Sequence, residues 1–212
     1  MIRLLFPLPV QLTVAVSGGP DSMAGLDFLS RNRKVTAAYF NHGTPHSKVS
    51  QNLVEKFCEE RKIDLEVGSI QKPRQKQSLE EYWREERYNF FEKIEGPIIT
   101  CHHLDDSVEW WLFSSFNGNP KLIPYRRGKY LRPFLLNRKS TLVEWCERKN
   151  VRYIIDPSNN ELAHARNLIR RRIIPNVELV NPGIHTVIKK KIIDSYQSAH
   201  ASRHERGCHE LG

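Results

Sequence analysis

Short apolar runs rich in β-branched residues alternate along the chain with longer segments whose apolar positions recur every three to four residues. The runs predict strands, and the periodic segments predict the helices between them. This alternation is typical of a parallel sheet covered by helices. We therefore predict an α/β fold: a doubly wound, mostly parallel sheet with helices on both faces. The predicted strands span residues 12–16, 35–40, 65–67, 97–101 and 130–134.

The periodic segments predict helices over residues 23–29, 49–62, 78–94, 105–116, 137–149 and 163–174. Ser78 followed by Glu81 forms a capping box at the start of the third helix. Pro175 is expected to stop the sixth helix. Beyond it we expect a basic helical extension over residues 177–194. Residues 195–212 are polar, rich in histidine and without periodicity, which predicts a disordered tail.

The chain has 33 Lys and Arg against 24 Asp and Glu, a net charge of +9. Such a balance favours a polyanionic partner, and nucleic acid is the natural candidate. The four cysteines form no C-x-x-C pair, which argues against a zinc or iron–sulfur site. Their scattered positions favour a reducing compartment over a disulfide framework. No stretch approaches the roughly 20 apolar residues of a membrane span. We therefore expect a cytoplasmic protein without a membrane partner.

The segment SGGPDS joins the first predicted strand to the first predicted helix. Backbone N–H groups and the partial positive charge of a helix N-terminus form a phosphate site in such a turn. A carboxylate in the turn would repel phosphate unless a divalent cation lay between them. The motif thus favours a nucleotide with Mg²⁺ bound through its aspartate, whereas an ordinary polar turn is the alternative. The candidate residues are Ser17, Gly18, Gly19, Pro20, Asp21 and Ser22.

A second group of polar residues, HHLDD at positions 102–106, follows the strand that ends at Cys101. Asp106 and Glu109 are three apart and share a helix face. Paired carboxylates suit either a metal or an ammonium group. Neighbouring residues on a strand point to opposite faces, which disfavours a chelate of His102 with His103. Helix capping would explain Asp105 but not Glu109.

His42 follows another predicted strand and is expected at the sheet edge that holds residues 17–22. A nucleotide contact and a purely structural histidine are both open. Arg84 and Arg87 share a helix face, where Glu80 could form a surface ion pair with Arg84 instead of leaving it for a ligand.

The last candidate segment begins with DPSN at residues 156–159 and continues into a basic helix. Arg166 and Arg170 share a face of that helix. Their planar guanidinium groups suit phosphate, because each can donate two parallel hydrogen bonds. A solvated basic helix is the alternative.

Together, these motifs resemble the tRNA(Ile)-lysidine synthases, a family of PP-loop (N-type) ATP pyrophosphatases. SGGPDS matches the PP-loop, and NHG at 41–43, HHLDD with Glu109, Arg132-Pro133 and the 156–175 segment match in order. The resemblance implies that residues 1–176 form the catalytic domain and that ATP and Mg²⁺ are cofactors. It implies adenylation of C2 of the wobble cytidine in tRNA(Ile) with a CAU anticodon. The ε-amine of free L-lysine then attacks, releasing AMP.

The resemblance also implies roles for individual residues. Asp21 would bind Mg²⁺, and Asp106 with Glu109 would bind the lysine ammonium groups. Arg166 would steady the α-phosphate, so Asp21, Asp106 and Arg166 are the expected catalytic residues. Residues 17–22, His42 and Arg170 would contact ATP. The expected tRNA contacts are Arg84, Arg87, Arg126, Arg127, Arg132, Arg171, Arg172, Lys189, Lys190 and Lys191.

Two other functions and a possible homodimer stay open at this point. A different PP-loop tRNA-modifying enzyme, such as a thiolase or an amidotransferase-type synthetase, would share the nucleotide site. Thiolation would require reactive cysteines, and the sequence shows no cysteine pair. An RNA-binding remnant without catalysis is the other alternative, although the intact Asp21, Asp106 and Glu109 argue against it.

Overall fold

The computed structural model describes residues 1–155 and 165–207, without the side chains of 198–207. The DPSN segment that the sequence singled out lies outside the described residues. Contacts divide the chain into two compact units. The first comprises Met1–His103 and Pro124–Asn159, and the second comprises Leu104–Ile123 and Asn160–Gly212. The boundaries expected at residues 176 and 194 stay predictions.

A single six-stranded sheet forms the centre of the first unit. Its strands are β1 (Gln11–Val16), β2 (Lys34–Asn41), β3 (Asp64–Ser69), β4 (Ile98–Ile99), β5 (Arg126–Arg127) and β6 (Tyr130–Leu131). They lie in the order β3-β2-β1-β4-β6-β5, and all neighbours are parallel except β5 and β6. The predicted fold class is therefore confirmed. The chain runs outward from β1 to β3 and later returns to β4, which places the topological switch point between β1 and β4.

The helices are α1 (Pro20–Ser30), α2 (Pro45–Arg61), α3 (Leu79–Glu92), α4 (Leu104–Phe116), α5 (Lys139–Lys149), α6 (Ala165–Leu168), α7 (Ile174–Val180) and α8 (Ile184–Gly207), with a π-helical segment at Ile169–Ile173. The first four begin and end within a few residues of the predicted positions. Ser78 Oγ accepts a hydrogen bond from the N–H of Glu81 at 3.2 Å, as the capping pattern predicted.

The core of the first unit explains why the sequence of β1 is almost entirely apolar. Leu12, Val14 and Val16 are buried, and so is Thr13 between them, because both faces of a central parallel strand are covered. Met23 and Leu26 of α1 belong to the same buried cluster. This packing fixes the position of α1, and with it the loop that precedes the helix.

One expectation about the second unit is wrong. Pro175 does not stop the helical segment but lies in the first turn of α7, which does not use the N–H that proline lacks. Helix α8 continues through residues 195–207, the first part of the segment in which we expect a disordered tail. The buried Ile184, Ile188 and Ile192 lie four residues apart and anchor α8, from which the helix propagates. Among the described residues, no helix combines the length and apolar character needed to cross a membrane.

Candidate nucleotide and amine sites

The loop of residues 17–22 lies at the carboxyl end of β1, at the switch point of the sheet. Gly18 has a φ of 81°, in the left-handed region that favours glycine. A Cβ at this position would also lie 3.1 Å from Cβ of Ser50. The carbonyl of Gly18 accepts a hydrogen bond from the N–H of Ile154 at 2.9 Å. Both the backbone conformation and the space around it therefore require glycine here.

Hydroxyl groups hold the rest of this loop. Ser22 Oγ accepts from the N–H of Ser17 at 3.1 Å and donates to the carbonyl of Gly19 at 3.0 Å. Gly19 is the N-cap of α1 and offers no side chain to the N–H groups of the first turn, and Pro20 starts the helix. The N–H groups of the first turn are thus left for an anion, as in other phosphate-binding helix N-termini.

Asp21 lies in the first turn of α1, with its side chain one-quarter exposed. Its Oδ2 is 3.7 Å from Nε2 of the buried His103 and 3.6 Å from Nζ of Lys139. Burial raises the pKa of Asp21, but the hydrogen bonds and charges of His103 and Lys139 outweigh it and hold the pKa below its ordinary value. Asp21 is therefore ionised at neutral pH.

The other oxygen of this carboxylate fits a divalent cation. Within the described part of the chain, Asp21 Oδ1 is buried without a hydrogen-bond partner. The described residues contain no cluster of three or more His, Cys, Asp or Glu that could hold a metal. Mg²⁺ commonly binds through one or two carboxylates and completes its shell with phosphate oxygens and water. A metal shared between Asp21 and a nucleotide matches this donor set.

His42 follows β2 and packs among aromatic rings. Its ring centroid is 5.0 Å from that of Phe40 and 5.4 Å from that of Trp83. Burial lowers the pKa of His42 to about 4, and the charge of Arg87 adds to this effect. Nδ1 is buried, and the described residues supply it with no hydrogen-bond partner. His42 is therefore a neutral hydrogen-bonding group at pH 7, which suits a nucleoside better than a charged phosphate.

In the second unit, Asp106 and Glu109 come together as predicted, on one face of α4. Two guanidinium groups accompany them. Arg170 places Nε at 2.9 Å and Nη2 at 2.7 Å from Oε2 of Glu109, and Nη2 is 3.4 Å from Oδ1 of Asp106. Arg166 Nε is 3.5 Å from Oε1 of Glu109. The expected lysine-binding carboxylates are thus occupied by Arg170, which we had expected to contact ATP.

Glu109 is the more buried of the two carboxylates, with only 3% of its surface exposed. Burial raises the pKa of Glu109, and the neighbouring charge of Asp106 raises it further. Arg170 and Arg166 act in the opposite direction, but the net result is a pKa above the ordinary value. This carboxylate depends on a cationic partner, because leaving a buried charge unpaired is costly.

The backbone around Arg170 departs from α-helical geometry. Arg170 lies in the π-helical segment, whose backbone hydrogen bonds span five residues instead of the four of an α-helix. Such segments often occur at functional sites, because the extra residue changes the direction of the side chains. The sequence carried no signal for this segment.

The residues expected to contact tRNA differ in exposure. Arg132 is buried, and its Nη1 donates to the carbonyl of Pro124 at 2.8 Å, which favours a structural role over the RNA contact we expected. Arg87 is half-buried, and burial lowers its pKa. Lys189 is half-buried as well. The exposed members are Arg84, Arg126, Arg127, Arg171, Arg172, Lys190 and Lys191.

Lys139 is the site residue that sequence reasoning missed. It faces Asp21 from the start of α5, more than 100 positions along the chain. No local motif connects the two, and only the packing of α1 beside α5 brings them together.

Comparisons with known proteins identify the family of this chain. The model of the PP-loop domain family matches residues 8–177. The chain is 30% identical over 198 residues to a tRNA(Ile)-lysidine synthase of Thermotoga maritima, covering 84% of this chain and 48% of that protein. It is 31% identical to a tRNA(Ile)-lysidine synthase of Staphylococcus aureus, covering 79% and 44%. It is 34% identical to a bifunctional protein TilS/HprT of Listeria innocua, covering 85% and 31%.

The chain spans about half or less of the length of these curated relatives. The predicted resemblance to the tRNA(Ile)-lysidine synthases is nevertheless confirmed, since the matches cover most of this chain. The family model covers well over half of it and includes the glycine-rich loop, Asp21 and the α4 carboxylates. The chain therefore belongs to the PP-loop domain family.

Proposed function

We propose that this protein is an ATP-dependent carbon–nitrogen ligase of the tRNA(Ile)-lysidine synthase type. It adenylates C2 of the wobble cytidine in tRNA(Ile) with a CAU anticodon, and the ε-amine of L-lysine then displaces AMP. The observation that carries the proposal is the carboxylate pair of the buried Glu109 and the half-buried Asp106, held by a cationic side chain, in a chain that also has a PP-loop. A site for an amine and a site for ATP are what this reaction needs.

The nucleotide end of the reaction rests on the PP-loop. The first-turn N–H groups of α1 hold the phosphates that leave as pyrophosphate. Mg²⁺, when bound, neutralises phosphate charge. Asp21 supplies Oδ1 to the cation, while His103 and Lys139 keep the carboxylate ionised and oriented through Oδ2. His42 offers a neutral ring nitrogen to the nucleoside.

At the amine site, one cation replaces another. The guanidinium of Arg170 pairs with both carboxylates, and an incoming lysine ammonium displaces it and binds between Asp106 and Glu109. The exchange keeps both carboxylates paired throughout, which avoids the cost of an isolated charge at the buried Glu109. The displaced Arg170 is then free to bind another anion, and we propose Arg170 and Arg166 as contacts of ATP.

The three cysteines that the structure describes disfavour a thiolase. A reactive cysteine has a lowered thiol pKa. Burial instead raises the pKa of Cys58 to about 11, that of Cys146 to about 12 and that of Cys101 well above its ordinary value. Thiols in such surroundings stay protonated and are poor nucleophiles.

The test is mass spectrometry of tRNA(Ile) after incubation with the protein, ATP, Mg²⁺ and lysine. We expect a lysine-sized mass gain on the wobble cytidine and pyrophosphate release that requires the tRNA. Asp21→Asn should abolish both, whereas the exposed Asp64→Asn should keep them. Pyrophosphate release that is unaffected when tRNA and lysine are withheld would refute the proposal. A homodimer stays a prediction.

A further inference from the structure

The face of α4 that carries the carboxylate pair continues into two aromatic rings. Positions 106, 109, 110 and 113 have the spacing of one helix face. Trp110 and Phe113 stack with their ring centroids 5.7 Å apart and their planes at 26°. The aromatic pair therefore adjoins the amine site along the same helix.

Core packing does not account for these rings. Val108 and Leu112 of the same helix are 0% and 6% exposed, as expected for residues that fill the core. Trp110 and Phe113 are both only half-buried. A large aromatic ring that is only half-buried, next to the carboxylate pair of Asp106 and Glu109, is better explained by a ligand that covers it.

Arg166 shows what kind of group the indole accepts. Its guanidinium carbon is 5.4 Å from the centroid of the Trp110 ring. The Arg166 side chain is 56% exposed, and its nearest approach to Glu109 is 3.5 Å. A flat, delocalised group therefore lies over the indole and is held only weakly, so that another flat group can replace it.

We propose that Trp110, Phe113 and Arg166 form a stacking platform for one unpaired RNA base next to the amine site. The proposal rests on the proposed function, because it takes RNA as the substrate. The base stacks on Trp110 in place of the guanidinium, which releases Arg166 to pair with a phosphate. Unpaired bases are commonly held on aromatic rings and on arginine. Trp110 is a positioning residue, since it orients the RNA without contacting the reacting atoms.

The test measures KM separately for tRNA, ATP and lysine in Trp110→Ala, Trp110→Phe and the matched control Trp111→Ala. The control removes an equally large, half-buried ring from the next position of α4. Stacking of one base contributes enough to predict a KM for tRNA that is about 5-fold to 150-fold higher in Trp110→Ala. We expect unchanged KM values for ATP and lysine, near-normal behaviour of Trp110→Phe and no effect of Trp111→Ala.

An unchanged KM for tRNA in Trp110→Ala would overturn the platform. A rise in the KM for ATP instead would also overturn it, because it would identify the stacked base as adenine. So would a Trp110→Phe variant whose KM for tRNA is as high as that of Trp110→Ala. Direct binding of the anticodon stem-loop RNA without ATP separates this proposal from the function. If the wild-type protein binds that RNA but leaves it unmodified once ATP, Mg²⁺ and lysine are added, the proposed function fails. The loss of binding in Trp110→Ala relative to Trp111→Ala then still decides the platform.

Discussion

Replacing Asp27 with asparagine should destabilise the fold without touching the nucleotide site. Asp27 is fully buried on α1, the helix that begins at the PP-loop. Its Oδ1 accepts from Nη1 of Arg61 at 2.5 Å and Nη2 of Arg31 at 3.3 Å. Its Oδ2 accepts from Nε of Arg31 at 3.0 Å and Nε1 of Trp145 at 2.9 Å. One carboxylate thus connects α1 with α2 and α5.

The magnitude follows from these four hydrogen bonds. Asparagine keeps one acceptor oxygen but turns an NH₂ group toward at least one donor, and it removes the negative charge. Hydrogen bonds to charged groups contribute about 1.5–3 kcal/mol each. The side chains of Arg31 and Arg61 are 38% and 35% exposed, so water compensates for part of the loss. We expect the free energy of unfolding to fall by about 2–4 kcal/mol in total.

Urea denaturation followed by circular dichroism measures this difference directly. In thermal unfolding the same loss corresponds to roughly 2–4 °C per kcal/mol for a chain of this size. The exposed Asp64→Asn is the matched control and should change stability by less than about 0.5 kcal/mol. If Asp27→Asn is no less stable than this control, the network contributes nothing and the reasoning is wrong.

Two further predictions concern pH. Because the pKa of Glu109 is raised and lysine binds its ionised form, the KM for lysine should rise as the pH falls, at a higher pH than an ordinary carboxyl would require. A profile that is equally steep in Glu109→Gln would contradict this. In an NMR titration from neutral to acidic pH, the His42 ring should take up its proton only near pH 4, and protonation near pH 6.5 would contradict this. Since the unfolded chain binds this proton first, stability should fall as the pH drops from about 6.5 toward 4.

The parts of the molecule that could be predicted depend on local spacing. The strands around β1 and β2 follow from apolar runs, and the pairing of Asp106 with Glu109 follows from helical periodicity. The residue types of the PP-loop indicate its conformation. Gly18 has the positive φ that glycine favours, and the Ser22 hydroxyl accepts a hydrogen bond from the N–H of Ser17 in the same loop. Contacts between elements distant along the chain carry no such signal. Lys139 beside Asp21 is the clearest case.

Arginine residues were the least predictable group, for a physical reason. A guanidinium on a long, flexible side chain can pair with phosphate, carboxylate, carbonyl or an aromatic ring. Sequence assigned Arg170 to ATP and Arg132 to tRNA. In the structure Arg170 neutralises the buried Glu109 and the half-buried Asp106, and the buried Arg132 donates to the backbone carbonyl of Pro124. Which partner a guanidinium takes depends on the groups that packing leaves within its reach.

The fold class follows from the alternation of apolar runs with periodic segments along the chain, and the PP-loop and the carboxylate pair of α4 follow from residues within one turn or one helix face. The tertiary structure supplies the groups that surround these residues. It placed His103 and Lys139 on one oxygen of Asp21, left the other oxygen for a cation, and put Arg170 between Asp106 and Glu109. Electrostatic surroundings are a sum over neighbours from several elements, so they exist only once the chain has folded.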